Sequence, residues 1–247
     1  MPDKEKPATI YLYSGGLAMK WLLPCLALVV ASCKKEEPES FDSFPKEEIA
    51  QVKGPQISSR EGVVSVEILT AKGEAGIGSG AYILFNNKTY VITAAHVIED
   101  SLITVVSTRE HSTSAKPVFI NKQKDIAILQ VDDLDDVKPI KLVPRQDFSL
   151  KLGEELYYSG FPNGFGPLTI EGTIAAFDGT DAVIMQSYAW PGASGSLVLD
   201  KRGRVVGVLV AIELLTGRNG EIINNANIVY VNLIDKNFMD VLNDLLD

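Results

Sequence analysis

From about residue 62 onward the chain places apolar and polar residues in short alternating runs, each broken by turn residues. That is the periodicity of strands rather than of helices. The first run spans residues 63–69. Residues 79–85 lead into the turn pair Asn86-Asn87, and 89–93 return as a hairpin partner. Further strands are expected at 102–106, 118–121, 126–131, 155–160, 168–177 and 182–186, then at 197–199, 205–211 and 228–231. Turn signals such as Lys201-Arg202-Gly203 and Gly217-Arg218-Asn219-Gly220 separate them. Roughly a dozen short strands at this spacing suit a sandwich or paired barrels, and the absence of a strand–helix–strand rhythm disfavours a doubly wound fold. One helix is expected, at the C-terminus. Asn232 can cap it, Asp235 follows three residues later, and Ile234, Phe238, Val241, Leu242 and Leu245 share a face. No repeat of solenoid or blade length occurs.

The N-terminal region has a different texture. An apolar run at residues 21–31 follows Met19-Lys20 and ends in Val30-Ala31-Ser32-Cys33. It is too short to span a bilayer, which takes about twenty residues. A basic start, an apolar stretch and small residues before a break describe a secretory signal. A buried core helix is the competing assignment, disfavoured by Pro24 inside the run and the charged stretch behind it. The ending resembles the bacterial lipoprotein signal, which implies that Cys33 is lipidated and becomes the first mature residue. Residues 1–18 carry no signal character, so the start is Met1 or Met19. The polar, Pro-containing stretch from Lys34 reads as a tether, and Lys34-Lys35-Glu36-Glu37 is similar to the stretch that directs some lipoproteins to the cell surface. The expected organisation is signal and extension at 1–33, tether at 34–57, and a folded domain at 58–247 with halves dividing near residue 145.

Composition narrows the partners. A hydrophobic content of 46% excludes a disordered chain, and 23 basic against 32 acidic residues give a net charge of -9. Three lysines (Lys4, Lys6, Lys20) and two acids (Asp3, Glu5) precede Cys33, so processing there leaves -10. Such a balance disfavours nucleic acid, whose phosphates need a surplus of Lys and Arg. Two cysteines, Cys25 and Cys33, exclude a disulfide-dense scaffold and a cysteine-rich zinc module. With only two histidines, His96 and His111, any imidazole chemistry must use one of them. His111 sits among Ser and Thr without an apolar frame, as a solvated loop residue would.

Three short stretches could carry chemistry. Ser194 lies in Gly192-Ala193-Ser194-Gly195, and a serine between glycines on a tight turn suits an acyl-transfer nucleophile, with backbone N–H groups free to face an oxyanion. The bland alternative is a Gly/Ser loop between strands. His96 ends the apolar stretch Thr93-Ala94-Ala95-His96, where a lone histidine is commonly buried against a carbonyl. Asp125 opens Asp125-Ile126-Ala127-Ile128-Leu129, a usual place for a turn residue. Together they stand in the order His, Asp, Ser, which differs from subtilisin and from the α/β-hydrolases.

On these motifs the chain resembles the bacterial trypsin-like serine proteases of chymotrypsin fold, nearest to the HtrA/Deg and glutamyl-endopeptidase branches. The glycine-rich stretch at 76–83, the turn Gly160-Phe161-Pro162-Asn163-Gly164 and the strand Gly172-Thr173-Ile174 are similar to HtrA-like segments; Ser194-Gly195-Ser196 is closer to the glutamyl-endopeptidase pattern. The likeness covers about residues 62–246. It implies an all-β fold of two six-stranded barrels with the active site between them, plus the C-terminal helix. It also implies a serine endopeptidase in which Ser194 is the nucleophile, His96 the base, Asp125 the orienting acid, and the N–H groups of Gly192 and Ser194 the oxyanion hole. No metal or cofactor is called for. The implied partners are a protein or peptide substrate and, through the lipid anchor, a membrane of the bacterial cell envelope.

Two departures shape the expected specificity. Ala193 stands where animal relatives carry the acid that pairs with a freed N-terminus, so no such zymogen switch is expected. Tyr188 and Ala189, with Val210, Ala211 and Ile212, are the expected pocket residues. Uncharged and bulky at Tyr188, and lacking the pocket histidine of glutamyl endopeptidases, the set points to a shallow pocket for small or aliphatic side chains. The chain ends at Asp247 just after the helix, so regulation by a trailing PDZ-like segment is not expected. The competing class is a protease fold that has become a catalytically silent binding module on the cell envelope.

Overall fold

The computed structural model describes residues 54–145, 150–216 and 222–246. The signal, Cys33, the choice between Met1 and Met19, nearly all of the tether and the turn at Gly217–Gly220 fall outside the described residues.

The first half is built on β1 (Val63–Thr70), β2 (Ala75–Phe85), β3 (Lys88–Ala94), β4 (Ser101–Ser107), β5 (Ser112–Ser114), β6 (Lys116–Asn121), β7 (Ile126–Gln130) and β8 (Ile140–Lys141). The pairing path runs β5-β4-β1-β2-β3-β7-β6, with β8 joined in parallel to β2. Its two ends are one stretch of chain, because only Ala115 separates β5 from β6. The Ala115 N–H donates to the Thr104 carbonyl of β4 at 2.9 Å. This stretch therefore pairs first with β4 and then with β7, and brings the sheet round on itself. The second half is a closed barrel in the order β10-β11-β14-β13-β12-β9. Its members are β9 (Glu155–Gly160), β10 (Leu168–Asp178), β11 (Ala182–Ser187), β12 (Leu197–Asp200), β13 (Val205–Thr216) and β14 (Ile222–Leu233). The all-β fold with a closed six-stranded barrel and a terminal helix is what the strand pattern and the resemblance imply; in the first half eight strands stand where six were expected.

Burial explains why these runs hold. Ile126, Ala127, Ile128 and Leu129 are all inaccessible, so β7 is covered on both faces and reads as a continuous apolar run rather than an alternating one. One apolar cluster fills the first half and crosses the junction to Leu197, Leu199, Val205, Val208 and Val210; a second, around Tyr158, Met185, Leu209 and Val231, fills the closed barrel.

Among the described residues three short α-helices accompany the strands. The first, α1 (Pro55–Glu61), starts with proline at its first positions and packs against β9, β10 and β12. Its buried Ser59 meets Ser159 of β9, Oγ to Oγ at 2.8 Å. This helix thus overlaps the last residues of the stretch expected as tether, 34–57. The second, α2 (Ala95–Ile98), is a single turn at the end of β3. The third, α3 (Lys236–Leu246), lies on the first half although it follows the second: Phe238 and Leu242 are buried in the first half's core, and Phe238 meets Phe119 edge-on at 5.6 Å between ring centres.

The expected cap of α3 is corrected by the structure. Asp235 caps it, its Oδ1 accepting the Phe238 N–H at 2.7 Å. Asn232 is held in β14, paired with Ala182 and Val208, and its Nδ2 donates to the Lys124 carbonyl at 2.7 Å. The expected face is also narrower than drawn: Ile234, Phe238 and Leu242 are buried, while Val241 and Leu245 are exposed.

Candidate active site

Register brings the first two candidate residues together. β3 and β7 are antiparallel and their last pair is Ala94 with Ile126, so the residues just beyond β3 face the residue just before β7. The Ala95 N–H donates to the Asp125 carbonyl at 3.1 Å. The His96 N–H donates to Asp125 Oδ1 at 2.8 Å, and Oδ2 lies 2.6 Å from His96 Nδ1. Asp125 takes a left-handed backbone, φ 50°, a conformation that Asp tolerates better than most residues. Both carboxylate oxygens are thereby committed to one residue. A carboxylate facing Nδ1 calls for the proton there, which leaves Nε2 as an acceptor. The imidazole side chain is 26% exposed and the carboxylate 15%, so the pair is sheltered yet reachable.

Ser194 comes from the other half, on the loop between β11 and β12. That loop docks on β2 where a side chain would not fit. Gly195 has φ 92°, and a β-carbon on it would fall 2.0 Å from the Ser79 carbonyl oxygen. The Ser79 N–H donates to the Ser194 carbonyl at 2.8 Å, and the Gly195 N–H to the Leu209 carbonyl at 2.7 Å. Gly78 lies between the two halves of the site: a β-carbon there would be 2.6 Å from the Val97 side chain and 3.2 Å from the Ser194 carbonyl. The residue after His96 and the backbone of Ser194 therefore flank the same glycine.

The carbonyls before Ser194 are each held. Pro191 accepts the Asn163 N–H at 2.6 Å, Gly192 the Ser79 hydroxyl at 2.7 Å, and Ala193 the Ser196 hydroxyl at 2.8 Å. In a trans peptide the N–H points away from its carbonyl, so the N–H groups of Gly192 and Ser194 are directed away from these anchors. Among the described residues neither N–H has a hydrogen-bond partner, and neither does Ser194 Oγ. Two oriented, unoccupied donors beside a half-buried hydroxyl can receive a developing oxyanion.

The expected pocket residues lie in different surroundings. Tyr188 is 51% exposed, a side chain at the surface rather than an enclosed floor, and its carbonyl accepts the Tyr158 hydroxyl. Burial pushes that Tyr158 phenol well above its usual pKa. Ala189 is packed in the second cluster, Val210 and Ala211 face the first, and Ile212 lies against the second. A cavity of about 430 Å³ borders the His96–Asp125 pair, lined also by Ile98, Glu99, Ile120 and Lys122. Lys122 and Glu99 form an ion pair of 2.9 Å at this cavity, which no motif announced. His111 is exposed and lies 3.3 Å from Asp136, a second His–Asp pair with looser geometry. Ser79 and the Phe161–Asn163 turn also contribute without having been singled out for chemistry; their only signal was the glycine-flanked pattern at 78–80 and 160–164.

Comparison with known proteins places this geometry. The family described as trypsin-like peptidase domain matches residues 78–208, which contain all three candidate residues.

The chain belongs to the trypsin-like peptidase family.

Among curated relatives, a probable periplasmic serine protease do/HhoA-like of Haemophilus influenzae is 29% identical over 157 residues, covering 60% of this chain and 33% of that protein. The periplasmic serine endoprotease DegP of Escherichia coli is 27% identical, covering 58% and 31%. Protease Do-like 1, chloroplastic, of Arabidopsis thaliana is 25% identical, covering 75% and 45%. This trypsin-like chain thus spans less than half the length of these relatives. Of solved structures, the HtrA-type protease AlgW with tripeptide has a TM-score of 0.63 at 21% identity, covering 78% of this chain and 63% of that one. The serine endoprotease from Yersinia pestis has a TM-score of 0.60 at 20% identity, covering 77% and 65%. Both share the fold. Among the described residues no helix is long and apolar enough to cross a membrane.

Proposed function

We propose that the protein is a serine endopeptidase. Ser194 Oγ attacks a peptide carbonyl while His96 Nε2 takes its proton, forming an acyl-enzyme and returning the proton to the leaving amine; water then releases the acyl group by the same exchange. Asp125 holds the imidazole in the required tautomer and stabilises the imidazolium. The N–H groups of Gly192 and Ser194 bind the oxyanion. The observation that carries this reading is the two-oxygen grip of Asp125 on His96, at 2.8 and 2.6 Å, beside a nucleophile loop in which two N–H groups have no partner among the described residues. The serine-protease names of the relatives support the same class of chemistry.

The substrate is a protein or peptide. A folded domain from about residue 58 onward, held by a lipidated Cys33 in the bacterial cell envelope, fits both the signal-like N-terminus and the periplasmic relatives. A fluorophosphonate probe tests the chemistry: Ser194 is expected to be labelled in the parent and the label to vanish in Ser194→Ala. Casein cleavage should fall on the order of 10⁴-fold or more in that variant. Cleavage by Ser194→Ala at the parental rate sinks the assignment. Metabolic labelling with an alkyne fatty acid, in parent and Cys33→Ser, tests the anchor separately.

A further inference from the structure

We propose that Ser79 is a positioning residue for the oxyanion hole. This rests on the peptidase reading above and goes further, assigning to a buried hydroxyl of the first half the task of setting the nucleophile loop of the second. Ser79 lies in β2 and is inaccessible to solvent. Its Oγ accepts the Phe161 N–H at 2.8 Å and donates to the Gly192 carbonyl at 2.7 Å. A hydroxyl has one proton to give. Because the Phe161 N–H can only donate, the Ser79 proton is directed at Gly192, and both ends of the bridge are defined.

Why Gly192 needs such a bridge follows from its backbone. At φ 101° it occupies a region that glycine alone enters freely, and a β-carbon there would sit 2.5 Å from the Phe161 carbonyl. Only glycine fits, yet glycine also has the widest choice of alternatives, so its own preferences do not decide which way the adjoining peptide planes face. The hydrogen bonds decide it. The plane carrying the Gly192 N–H is fixed at its carbonyl end by Asn163, and the next plane by Ser79. Ser79 thus locks the plane between the two donor N–H groups, and through Phe161 ties it to the turn that supplies the Asn163 N–H.

The rest of the residue is committed to the same loop. The Ser79 N–H holds the Ser194 carbonyl, while its carbonyl accepts the Thr93 hydroxyl at 2.7 Å and lies against Gly195. Gly160 leaves room for it, since a β-carbon there would fall 2.7 Å from Ser79 Oγ. Removing the hydroxyl leaves the Gly192 carbonyl and the Phe161 N–H without this partner, and the loop is free to turn a donor away from the substrate.

The test uses Ser79→Ala, with Ser59→Ala as its control. Ser59 is another buried serine whose hydroxyl bridges two elements, but it sits between α1 and β9. On a peptide that the parent cleaves, Ser79→Ala should lower kcat on the order of 10- to 100-fold, less than the loss of a whole oxyanion donor, with KM changed no more than about threefold. A boronic acid built on that peptide, which forms a tetrahedral adduct with the nucleophile, should bind more weakly by a similar factor. Ser59→Ala should keep parental kcat while its melting temperature falls. Ser79→Cys, which nearly keeps the volume and a weak donor, should lie between parent and Ser79→Ala, and it decides the matter if Ser79→Ala does not fold. Parental kcat in Ser79→Ala or Ser79→Cys, or an equal fall in Ser59→Ala, overturns the assignment of Ser79 alone. A parent that neither cleaves nor takes the fluorophosphonate overturns the peptidase reading, and this assignment with it.

Discussion

Replacing Asp125 with asparagine probes the proposed chemistry most directly, because shape is kept and one proton changes place. Asp125 uses Oδ1 for the His96 backbone N–H and Oδ2 for the ring. In Asp125→Asn the amide oxygen must take the backbone N–H, since an NH₂ group there would set donor against donor. The NH₂ group then faces Nδ1, forcing the ring to accept at that nitrogen and carry its proton on Nε2. That tautomer cannot take the Ser194 proton. Turnover at neutral pH should fall about 10⁴-fold, or about 5 kcal/mol of transition-state stabilisation at 1.36 kcal/mol per factor of ten. KM should change little, because neither oxygen is placed to touch substrate. The protein also holds its own control in the His111–Asp136 pair, where the ring lies 3.3 Å from the carboxylate and is 59% exposed. Asp136→Asn should leave turnover within about twofold while following the same assay. Initial rates on a fluorogenic peptide, with melting curves for both variants, complete the measurement. Turnover in folded Asp125→Asn within tenfold of the parent would refute the tautomer argument.

Three further outcomes follow from packing and charge. Gly195→Ala forces a β-carbon to within 2.0 Å of the Ser79 carbonyl at φ 92°; a loss of about 3 kcal/mol or more in urea unfolding is expected, and a parental midpoint would contradict the close approach. Asp200 is buried, which would raise its carboxyl pKa. The Arg204 N–H and guanidinium and the Arg202 N–H outweigh that and hold it below the usual range. A group depressed on folding contributes fully above its unfolded pKa, near 4, and loses that contribution as pH falls through the folded value. Asp200→Asn should therefore cost about 3 kcal/mol at pH 7 and flatten the acid limb of stability below pH 4; an unchanged acid limb in chemical unfolding rules this out. Asp235→Ala removes both the α3 cap and a partner of Lys124 at 2.8 Å, so a loss of about 1–2 kcal/mol is expected by calorimetry, and a parental melting temperature would contradict both roles.

The sequence carried the fold wherever a strand writes its own pattern. Runs such as 126–131 and 155–160 are apolar or alternating and bounded by turn residues, and β7 and β9 appear there. β5 and β8 left no trace, because Ser112-Thr113-Ser114 and the two residues Ile140-Lys141 are strands only through the neighbours that pair with them. α1 escaped for a related reason: of PQISSRE only Ser59 is buried, so no apolar stripe forms. At α3 two residues able to cap stood three apart, and local chemistry could not choose between them. The choice belongs to β11 and β13, which hold Asn232 in a ladder and leave Asp235 as the first residue free to turn.

The site divides along the same line. His96 and Asp125 could be named because each closes or opens a strand with a strong pattern, and the register of β3 on β7 then makes them neighbours. Ser194 could be named because glycines surround it. What orients its loop is another matter: Ser79 reaches Gly192 across 113 residues of sequence and the Phe161 N–H across 82. Two of the three groups in that bridge are backbone atoms, which every residue possesses and no residue type advertises. The surroundings of the expected pocket residues were equally hidden, since Val210, Ala211 and Ile212 follow one another across a register shift in β13 and lie against two different cores. A residue that acts through its side chain at a strand end is thus visible in sequence, whereas one that acts by fixing another segment's backbone becomes visible only when the two halves are docked. In this protein the second kind sits at the interface between them, where a single buried hydroxyl decides which way a glycine peptide faces.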